Sequence, residues 1–388
     1  MNGSTTRAQD FGELKSRVLA EVLALPGLRR RSLQREKRET RNERRETKNL
    51  IMKSLLYRDF DLMEFTDQPK PSIKPDEVLV KVAAVGICGS ELDSFRQKSP
   101  RRPPPLIMGH EFCGIIEQIG SEVRALELGQ RVVSNALVPD SWSREAARGN
   151  PHLSRRRQVF GMHRPGAFAE YVPVPASCLI DWPNSLAAEA ACLAEPLGNG
   201  IHVCNLTSHL QPKRVLVIGA GPIGLMCQQA FQLTGATVLV SDPNKTRAET
   251  ARQLGARRVI VPPGDDVAGI CLAETDGEGA DVVVDAYGSG ETKRLSLQCT
   301  RPGGAAVWIG LHENKIELDS FELTLPERAV FGTYGAKLEE LREAVRLMTE
   351  GKVDVSSWVT VFPLDRGVDA FDRMLRGTGR DIKAVLVP

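Results

Sequence analysis

The sequence predicts an α/β protein built around a doubly wound parallel sheet, together with at least one further domain. Two observations support this prediction. From Val215 onward, short apolar runs alternate with helical stretches, which is typical of parallel strands joined by crossover helices. The chain also has 388 residues, 41% of them hydrophobic, which is too long for one ordinary domain and normal for a globular protein.

Charge and hydropathy exclude several function classes. Residues 1–51 hold 13 Lys and Arg against seven Asp and Glu, while the remainder holds 38 against 42. The main body is therefore slightly acidic, and we expect no nucleic-acid partner. The longest apolar stretch, about 13 residues from Val215 to Cys227, is too short to span a membrane. Eight scattered cysteines without a signal-peptide pattern predict a reducing, cytoplasmic location.

The first 51 residues differ from the rest of the chain. The run from Arg35 to Lys48 mixes charges without an apolar period, and such a segment buries too little surface to fold. We therefore expect residues 1–51 to be a disordered N-terminal extension, or the product of an upstream start ahead of Met52. A basic arm that touches nucleic acid is the alternative.

A nucleotide-binding unit is predicted to begin at the apolar strand Val215–Ile218. The hexapeptide Gly219–Gly224 follows and fits the pattern G-x-G-x-x-G, and a helix is predicted over Leu225–Thr234. The first glycine allows a tight turn, the second lets the backbone approach a pyrophosphate, and the third lets the helix pack on the strand. Free N–H groups at the start of that helix attract phosphate.

An acidic residue completes this unit. The strand Thr237–Ser241 ends at Asp242, 23 residues after the first glycine. A carboxylate there can accept hydrogen bonds from adenosine ribose and repels a 2′-phosphate, so NAD is favoured over NADP. Four more strands are predicted, at Arg258–Val261, Val282–Asp285, Ala305–Ile309 and Ala329–Thr333. The candidate cofactor contacts of the unit are Gly219, Gly221, Pro222, Ile223, Gly224, Asp242 and Ile309.

Three segments ahead of this unit supply metal-binding chemistry. Cys88 follows Gly86-Ile87, His110 stands in Gly109-His110-Glu111, and Glu195 begins Glu195-Pro196-Leu197. Taken singly, a cysteine or a histidine is more often structural. Together, thiolate, imidazole and carboxylate form a three-ligand set with an open fourth position, which is the arrangement of catalytic zinc.

With these motifs in place, the chain resembles the zinc-dependent medium-chain dehydrogenases over Met52–Pro388, and within them the polyol branch of sorbitol, idonate, galactitol-phosphate and threonine dehydrogenases. The resemblance implies a GroES-like β-rich catalytic domain at residues 52–196 and 335–388, a Rossmann NAD-binding domain at 197–334, and a homodimer or homotetramer. The matching segments, in family order, are Gly86–Ser90, Gly109–Gly114, Gly129–Val132, Gly166–Tyr171, Glu195–Leu197, Gly219–Gly224 and Ile382–Leu386.

The resemblance also implies a metal site. Cys88, His110 and Glu195 would hold one catalytic zinc, and Glu111 is the carboxylate that can enter or leave the metal shell. Which glutamate is the resting third ligand stays open. A second, structural zinc is not expected, because the four positions that are cysteines in many relatives read Asp140, Ser143, Ala146 and Ser154.

Further roles follow from the same resemblance. Ser90 would take the substrate proton, and Glu91 would orient the metal-binding histidine. Lys383 would reach a cofactor phosphate, and Arg247 would lie near the adenine. Asp93 stands where many relatives have the histidine that ends the proton relay, so the route of the proton to solvent is open.

These features predict a zinc-dependent enzyme that transfers a hydride from a secondary alcohol of a polyol, sugar alcohol or sugar derivative to NAD. Threonine 3-dehydrogenation is the alternative, favoured by Gly198-Asn199 with His202. A non-catalytic dinucleotide-binding sensor is disfavoured by the intact ligand set. The basic run Arg96–Arg102 is interpreted as a solvated loop, with binding of an acidic or phosphorylated sugar as the alternative.

Overall fold

The computed structural model describes residues 50–377 and 381–388. The disorder predicted for the N-terminal extension therefore falls outside the described residues, apart from Leu50 and Ile51. Ile51, the last residue of the predicted extension, is the first residue of the first strand. Among the described residues, each helix is too short or too polar to cross a bilayer.

The elements are numbered here in chain order. The strands are β1 Ile51–Asp59, β2 Leu62–Pro69, β3 Glu77–Gly86, β4 Leu106–Ile107, β5 Glu111–Ile119, β6 Arg131–Ser134, β7 Leu137–Val138, β8 Gln158–Val159, β9 Tyr171–Pro175, β10 Leu179–Asp181, β11 Arg214–Ile218, β12 Thr237–Ser241, β13 Arg258–Ile260, β14 Ala280–Asp285, β15 Thr300–Trp308, β16 Ala329–Gly332, β17 Val359–Pro363 and β18 Lys383–Val387. The helices are α1 Gly89–Arg96, α2 Arg144–Ala147, α3 Ala188–Ala191, α4 Ala194–Thr207, α5 Pro222–Leu233, α6 Lys245–Gln253, α7 Val267–Ala273, α8 Gly290–Cys299, α9 Phe321–Thr324, α10 Leu338–Thr349 and α11 Gly367–Arg376.

The central part of the chain forms the predicted doubly wound sheet. Its six strands are all parallel, in the order β13-β12-β11-β14-β15-β16. The strand order reverses between β11 and β14, and ligands bind at this kind of crevice. Helix α5 begins at Pro222, three residues before the predicted Leu225, because proline fits the first helical position and Gly221 caps the helix.

A second, mainly antiparallel sheet surrounds strand β3. Strand β3 pairs with β5 along one edge and with β9 and β18 along the other. The pairing of Val385 with Gly86 brings the last described strand back to the N-terminal part of the chain. The predicted α/β class, with a doubly wound parallel sheet and a separate β-rich part, is thus confirmed. The exact domain limits stay predictions, since α4 runs without a break across the expected boundary at residues 196 and 197.

Helix α4 is the element that joins the two sheets. Twelve of its 14 residues are buried. Leu197 and Val203 of this helix share one apolar cluster with Val215 of the parallel sheet and with Ala84 of β3. A Cβ atom on Gly200 would lie 3.0 Å from the carbonyl carbon of Met226, so a larger residue would push α4 and α5 apart by a few tenths of an ångström. The helix therefore fixes its own first turn, which carries Glu195, between the sheets.

We expect the Gly224→Ala variant to be less stable than the wild-type protein. A Cβ atom on Gly224 would overlap the carbonyl oxygen of Gly219, so the turn and the helix would have to separate. Overpacking of this kind costs about 1–3 kcal/mol, which thermal unfolding would register as a lower Tm. Gly221→Ala is the matched control, because its Cβ would meet no atom within 4 Å. Equal Tm values for the two variants would contradict this account.

Candidate active site

One cavity of about 440 Å³ brings together most of the residues singled out from the sequence. It lies between the two sheets, at the ends of β11, β14 and β15. Its lining includes Cys88, Ser90, His110, Glu111, Glu195, Gly221, Pro222, Ile223, Arg247, Ile309 and Lys383. The other predicted site residues stand behind this lining, and they are Glu91, Gly219, Gly224 and Asp242.

A metal-ligating group lies at the inner end of the cavity. One ligand atom each from Cys88, His110 and Glu111 lies within 4.8 Å of the other two. The three side chains come from the start of α1 and the start of β5, two elements that the β3–β5 pairing holds side by side. Thiolate, imidazole and carboxylate are ligands that zinc prefers, and three protein ligands leave a fourth position for substrate. The residues present therefore fit zinc.

Glu195 lies in the same cavity but outside that group of three. Its Oε1 atom accepts a hydrogen bond of 3.1 Å from Asn199, one turn further along α4. Burial raises the pKa of Glu195 to about 7, and the charge of Glu111 adds to this while His110 opposes it. In this structure the carboxylate that lies within 4.8 Å of both the Cys88 and the His110 ligand atoms is that of Glu111.

The buried carboxylate of Glu91 holds the metal-ligating residues in place. Its Oε1 atom accepts hydrogen bonds from the Gly109 amide at 2.7 Å and from Nδ1 of His110 at 2.9 Å. Its Oε2 atom accepts one from the Cys88 amide at 3.0 Å. Burial works to raise the pKa of Glu91, but the contact with His110 outweighs it and the pKa is lowered. The histidine is thus oriented with Nε2 free for a metal.

Ser90 stands beside the metal ligands in the first turn of α1. Its Oγ atom lies 3.4 Å from the Sγ atom of Cys88 and 3.2 Å from Nη2 of Arg102. The role of Arg102 was missed by the sequence analysis, which interpreted Arg96–Arg102 as a solvated loop. That interpretation is wrong for Arg102, which is 3% exposed. Nothing in the local sequence separates it from the exposed Arg101 next to it, because its burial depends on the distant Gly161 loop.

Asp93 also lines the cavity, one turn after Ser90. Burial raises the pKa of Asp93, while His312 and Arg96 oppose that shift. The Nη1 atom of Arg96 lies 3.6 Å from the Asp93 carboxylate. Asp93, which replaces the relay histidine of many relatives, therefore lies within the cavity. His312, from a different segment of the chain, lies near it.

Lys383 differs from its expected role. Its Nζ atom forms an ion pair with the Oε2 atom of Glu111, and the side chain is 1% exposed. Burial works to lower the pKa of Lys383, but Glu111 and Cys88 outweigh it and raise the pKa. The strand pairing of β18 with β3 places the lysine here, so its ammonium group contacts a metal-ligating carboxylate rather than extending toward a phosphate.

The glycine loop is braced by Asp242. Gly219 has a φ of +98°, a conformation that glycine adopts without strain. The Oδ2 atom of Asp242 accepts a hydrogen bond from the Ala220 amide at 2.7 Å, and Oδ1 accepts one from the Asn244 amide at 2.7 Å. Each oxygen keeps a lone pair for a further donor. Gly221, at the end of the loop, is the N-cap of α5. The N-terminus of a helix is a favourable place for a phosphate group.

The segment that holds structural zinc in many relatives is tied together by hydrogen bonds. The Asp140 amide donates to Oγ of Ser154 at 2.9 Å, and the Ala146 amide donates to Oγ of Ser143 at 3.1 Å. Asp140 also forms an ion pair with Arg156 at 2.9 Å. All four positions that the sequence analysis compared with cysteines thus take part in this one network.

Comparison with known proteins agrees with this geometry. Residues 74–184 match the alcohol dehydrogenase GroES-like domain, and residues 222–350 match the zinc-binding dehydrogenase domain. L-threonine 3-dehydrogenase of Pyrococcus abyssi is 34% identical over 339 residues, which cover 85% of this chain and 96% of that protein. The enzyme of the same name from Caldanaerobacter subterraneus is 33% identical, over 79% of this chain and 90% of that protein.

Solved structures show the same similarity. Galactitol-1-phosphate dehydrogenase of Escherichia coli superposes with a TM-score of 0.81 at 26% identity, covering 87% of this chain and all of that one. A zinc-binding dehydrogenase of Sinorhizobium meliloti bound to NADP gives a TM-score of 0.80 at 29% identity, with 87% and 99% covered. The chain belongs to the zinc-dependent medium-chain dehydrogenase family. It is a dehydrogenase of the alcohol dehydrogenase type that uses zinc and a nicotinamide dinucleotide.

We expect Glu91→Gln to weaken zinc binding. A glutamine keeps an acceptor for His110 and Gly109, but its NH₂ group would then face the Cys88 amide, which is a donor as well. Loss of such a supporting contact lowers metal affinity by about 10- to 100-fold, measurable by competition with a chromophoric chelator. Glu122→Gln, an exposed carboxylate, is the control. Unchanged affinity in Glu91→Gln would show that Glu91 does not position the ligands.

In the chelator-treated protein, the contribution of Glu195 to stability should decrease as the pH rises from 5 to 8. The folded state keeps a proton on Glu195 up to about pH 7, whereas an unfolded glutamate loses it near pH 4.5. The contribution of Glu195 to the free energy of unfolding is therefore largest below pH 4.5 and falls until pH 7, by up to about 3 kcal/mol. The raised pKa of His110 acts in the same direction. Denaturant unfolding of Glu195→Gln should show a smaller decrease, and an equal decrease would contradict the assignment.

Proposed function

We propose that the chain oxidises a small secondary alcohol to a ketone with NAD, and that a β-hydroxy amino acid of the L-threonine type is the first candidate substrate. The sequence alone favoured a polyol. The curated relatives named above support threonine instead, the alternative that Gly198-Asn199 with His202 had kept open. A cytoplasmic location and a homodimer or homotetramer belong to the same proposal.

The proposal depends chiefly on one observation, which is that the metal-ligating group and the dinucleotide loop open into the same cavity. Cys88, His110 and Glu111 lie at one end, and Gly221 lies in the same lining. A metal-held hydroxyl and a nicotinamide ring would thus be neighbours. This proximity is what a direct hydride transfer requires.

Individual residues have distinct roles in the proposed reaction. Cys88 and His110 bind zinc together with Glu111 or Glu195, and when bound, zinc supplies the Lewis acid that lowers the pKa of the substrate hydroxyl. Ser90 accepts the hydroxyl proton and releases its own toward the cofactor ribose or water, since its Oγ atom lies beside the metal ligand Cys88. Bound NAD⁺ would supply the hydride acceptor, so that alcohol and NAD⁺ would give ketone, NADH and one proton.

Either of two glutamates can act as the third metal ligand. Glu111 is held by Lys383, and Glu195 is held by Asn199. We infer that Glu111 is the ligand in the arrangement described here, in which its Oε2 atom also contacts Lys383, and that Glu195 is the ligand when Glu111 turns away from the metal. Gly86 makes room for the first arrangement, because a Cβ atom there would overlap the Glu111 carboxylate.

The preference for NAD over NADP is assigned to Asp242. Its carboxylate is fixed by the Ala220 and Asn244 amides at the end of β12, so a negative charge stands where the adenosine ribose is expected. A 2′-phosphate there would meet that charge. Arg247, which lines the cavity, is the cation assigned to the adenine end.

A polyol or its phosphate is the second candidate substrate. The similarity to galactitol-1-phosphate dehydrogenase, at a TM-score of 0.81, favours it. The cavity lining also holds several polar side chains with which additional hydroxyl groups can form hydrogen bonds, among them Asp93 and Asn199.

We expect NADH to form from L-threonine at neutral pH, more efficiently than from sorbitol or galactitol 1-phosphate. A zinc chelator should abolish the signal and added zinc should restore it, and NADP should support a lower kcat/KM than NAD. A better rate with a polyol would transfer the assignment to the second candidate. If the zinc-loaded protein forms no NADH from any of these substrates, the substrate proposal is overturned. If the protein forms no NADH and also binds no zinc, the non-catalytic sensor is favoured.

A further inference from the structure

Arg102 is a buried cation without an ionic partner in the described part of the chain. It is 3% exposed, and each hydrogen bond that its guanidinium donates goes to a neutral oxygen. Removing a charge from water without pairing it is unfavourable. The carboxylate of Glu91 is close enough to sense Arg102, but its oxygens are engaged by His110, Gly109 and Cys88.

The hydrogen bonds of Arg102 leave one donor free. Nε donates to the Gly161 carbonyl at 3.1 Å, and Nη1 donates to the Ser90 carbonyl and to Ser94 Oγ at 2.9 and 2.8 Å. Nη2 donates to Ser90 Oγ at 3.2 Å. A guanidinium carries five N–H groups, so the second hydrogen of Nη2 has no acceptor among the described residues. Arg102 lines the active-site cavity, and this donor is available there.

We propose that Arg102 binds an oxyanion of the substrate, a carboxylate or a phosphate that stands close to the carbon being oxidised. This inference rests on the proposed function and specifies its substrate class. Nη2 contacts the same Ser90 hydroxyl that receives the substrate proton, and Ser90 contacts the metal ligand Cys88. An anion held at Nη2 must therefore belong to a group only a few bonds away from the reacting hydroxyl.

The contacts around Arg102 hold its guanidinium group in a fixed position for recognition. Its contacts with the backbone of α1 and with the Gly161 loop hold the planar group in one orientation, so little side-chain entropy is lost when an anion binds. Charge-assisted bonds from arginine to an oxyanion are also stronger than bonds between neutral groups. Short hydroxy acids and β-hydroxy amino acids are thus favoured over neutral polyols.

The test compares L-threonine with L-threoninamide, which differ only in the carboxylate. We expect the wild-type holoenzyme to prefer L-threonine, and Arg102→Gln to lower kcat/KM for L-threonine by about 10- to 100-fold. The same variant should lower kcat/KM for L-threoninamide and for (2R,3R)-butane-2,3-diol by a factor at least threefold smaller, because only the lost contact with Ser90 affects those neutral substrates. Arg102→Lys keeps the positive charge but lacks the planar guanidinium group, so its kcat/KM for L-threonine should lie between those of the wild-type protein and Arg102→Gln. Arg101→Gln, the exposed neighbour, is the control.

The possible outcomes separate this inference from the proposed function. A parallel loss on charged and neutral substrates would show a purely structural role for Arg102, and no loss on either would also overturn the inference. A selective loss on galactitol 1-phosphate instead of L-threonine would identify the oxyanion as a phosphate.

If the wild-type enzyme oxidises none of these compounds, the proposed function fails, and calorimetric titration of the NADH complex still tests the inference. L-threonine should then bind more tightly than L-threoninamide in the wild-type protein and equally in Arg102→Gln. Equal binding in the wild-type protein would overturn the role of Arg102. Thermal unfolding of each variant confirms that a loss of binding is not a loss of fold.

Discussion

The active site depends on one buried carboxylate. Glu91 has no exposed surface, yet it accepts three hydrogen bonds, from Cys88, Gly109 and His110. These bonds join the start of α1 to the start of β5, so the spacing between thiolate and imidazole is fixed before any metal arrives. A buried charge is tolerated here because each of its oxygens is satisfied and His110 lies against it. Loss of Glu91 would therefore disturb both ligands at once.

Around this centre, long-range pairings complete the site. Helix α4 packs between the two sheets and presents Glu195, while β18 pairs with β3 and presents Lys383. Each of these side chains faces a metal-ligating group from a segment far away in the sequence. The cavity thus forms only where both sheets are in place, and its two ends bring different chemistry, with metal ligands on one side and a helix N-terminus on the other.

The sequence predicted the parts of the site that are encoded locally. The glycine loop, Asp242 and the strands of the parallel sheet are short-range patterns, and the structure has them within a few residues of the prediction. Cys88 and His110 were found because their residue types are scarce and chemically distinctive. Arg102 was misjudged because a cation in a basic run looks solvated, and only its tertiary contact with the Gly161 loop shows that it is buried. Lys383 was assigned to a cofactor phosphate by resemblance, and its contact with Glu111 is likewise visible only in the tertiary structure. The choice between Glu111 and Glu195 has the same origin, since distances across the cavity leave no local pattern.

The pairing of β18 with β3 also has a consequence for biosynthesis. Until residues 383–387 have left the ribosome, the end of β3 at Val85 and Gly86 has no partner on that edge. An open strand edge can pair with other chains, and domains usually fold in the order in which they are made. Here the parallel sheet, although translated later than β3, can assemble while the earlier sheet is still waiting for its last strand. The short edge at Val85 and Gly86 therefore stays unpaired by β18 until the last strand has been made.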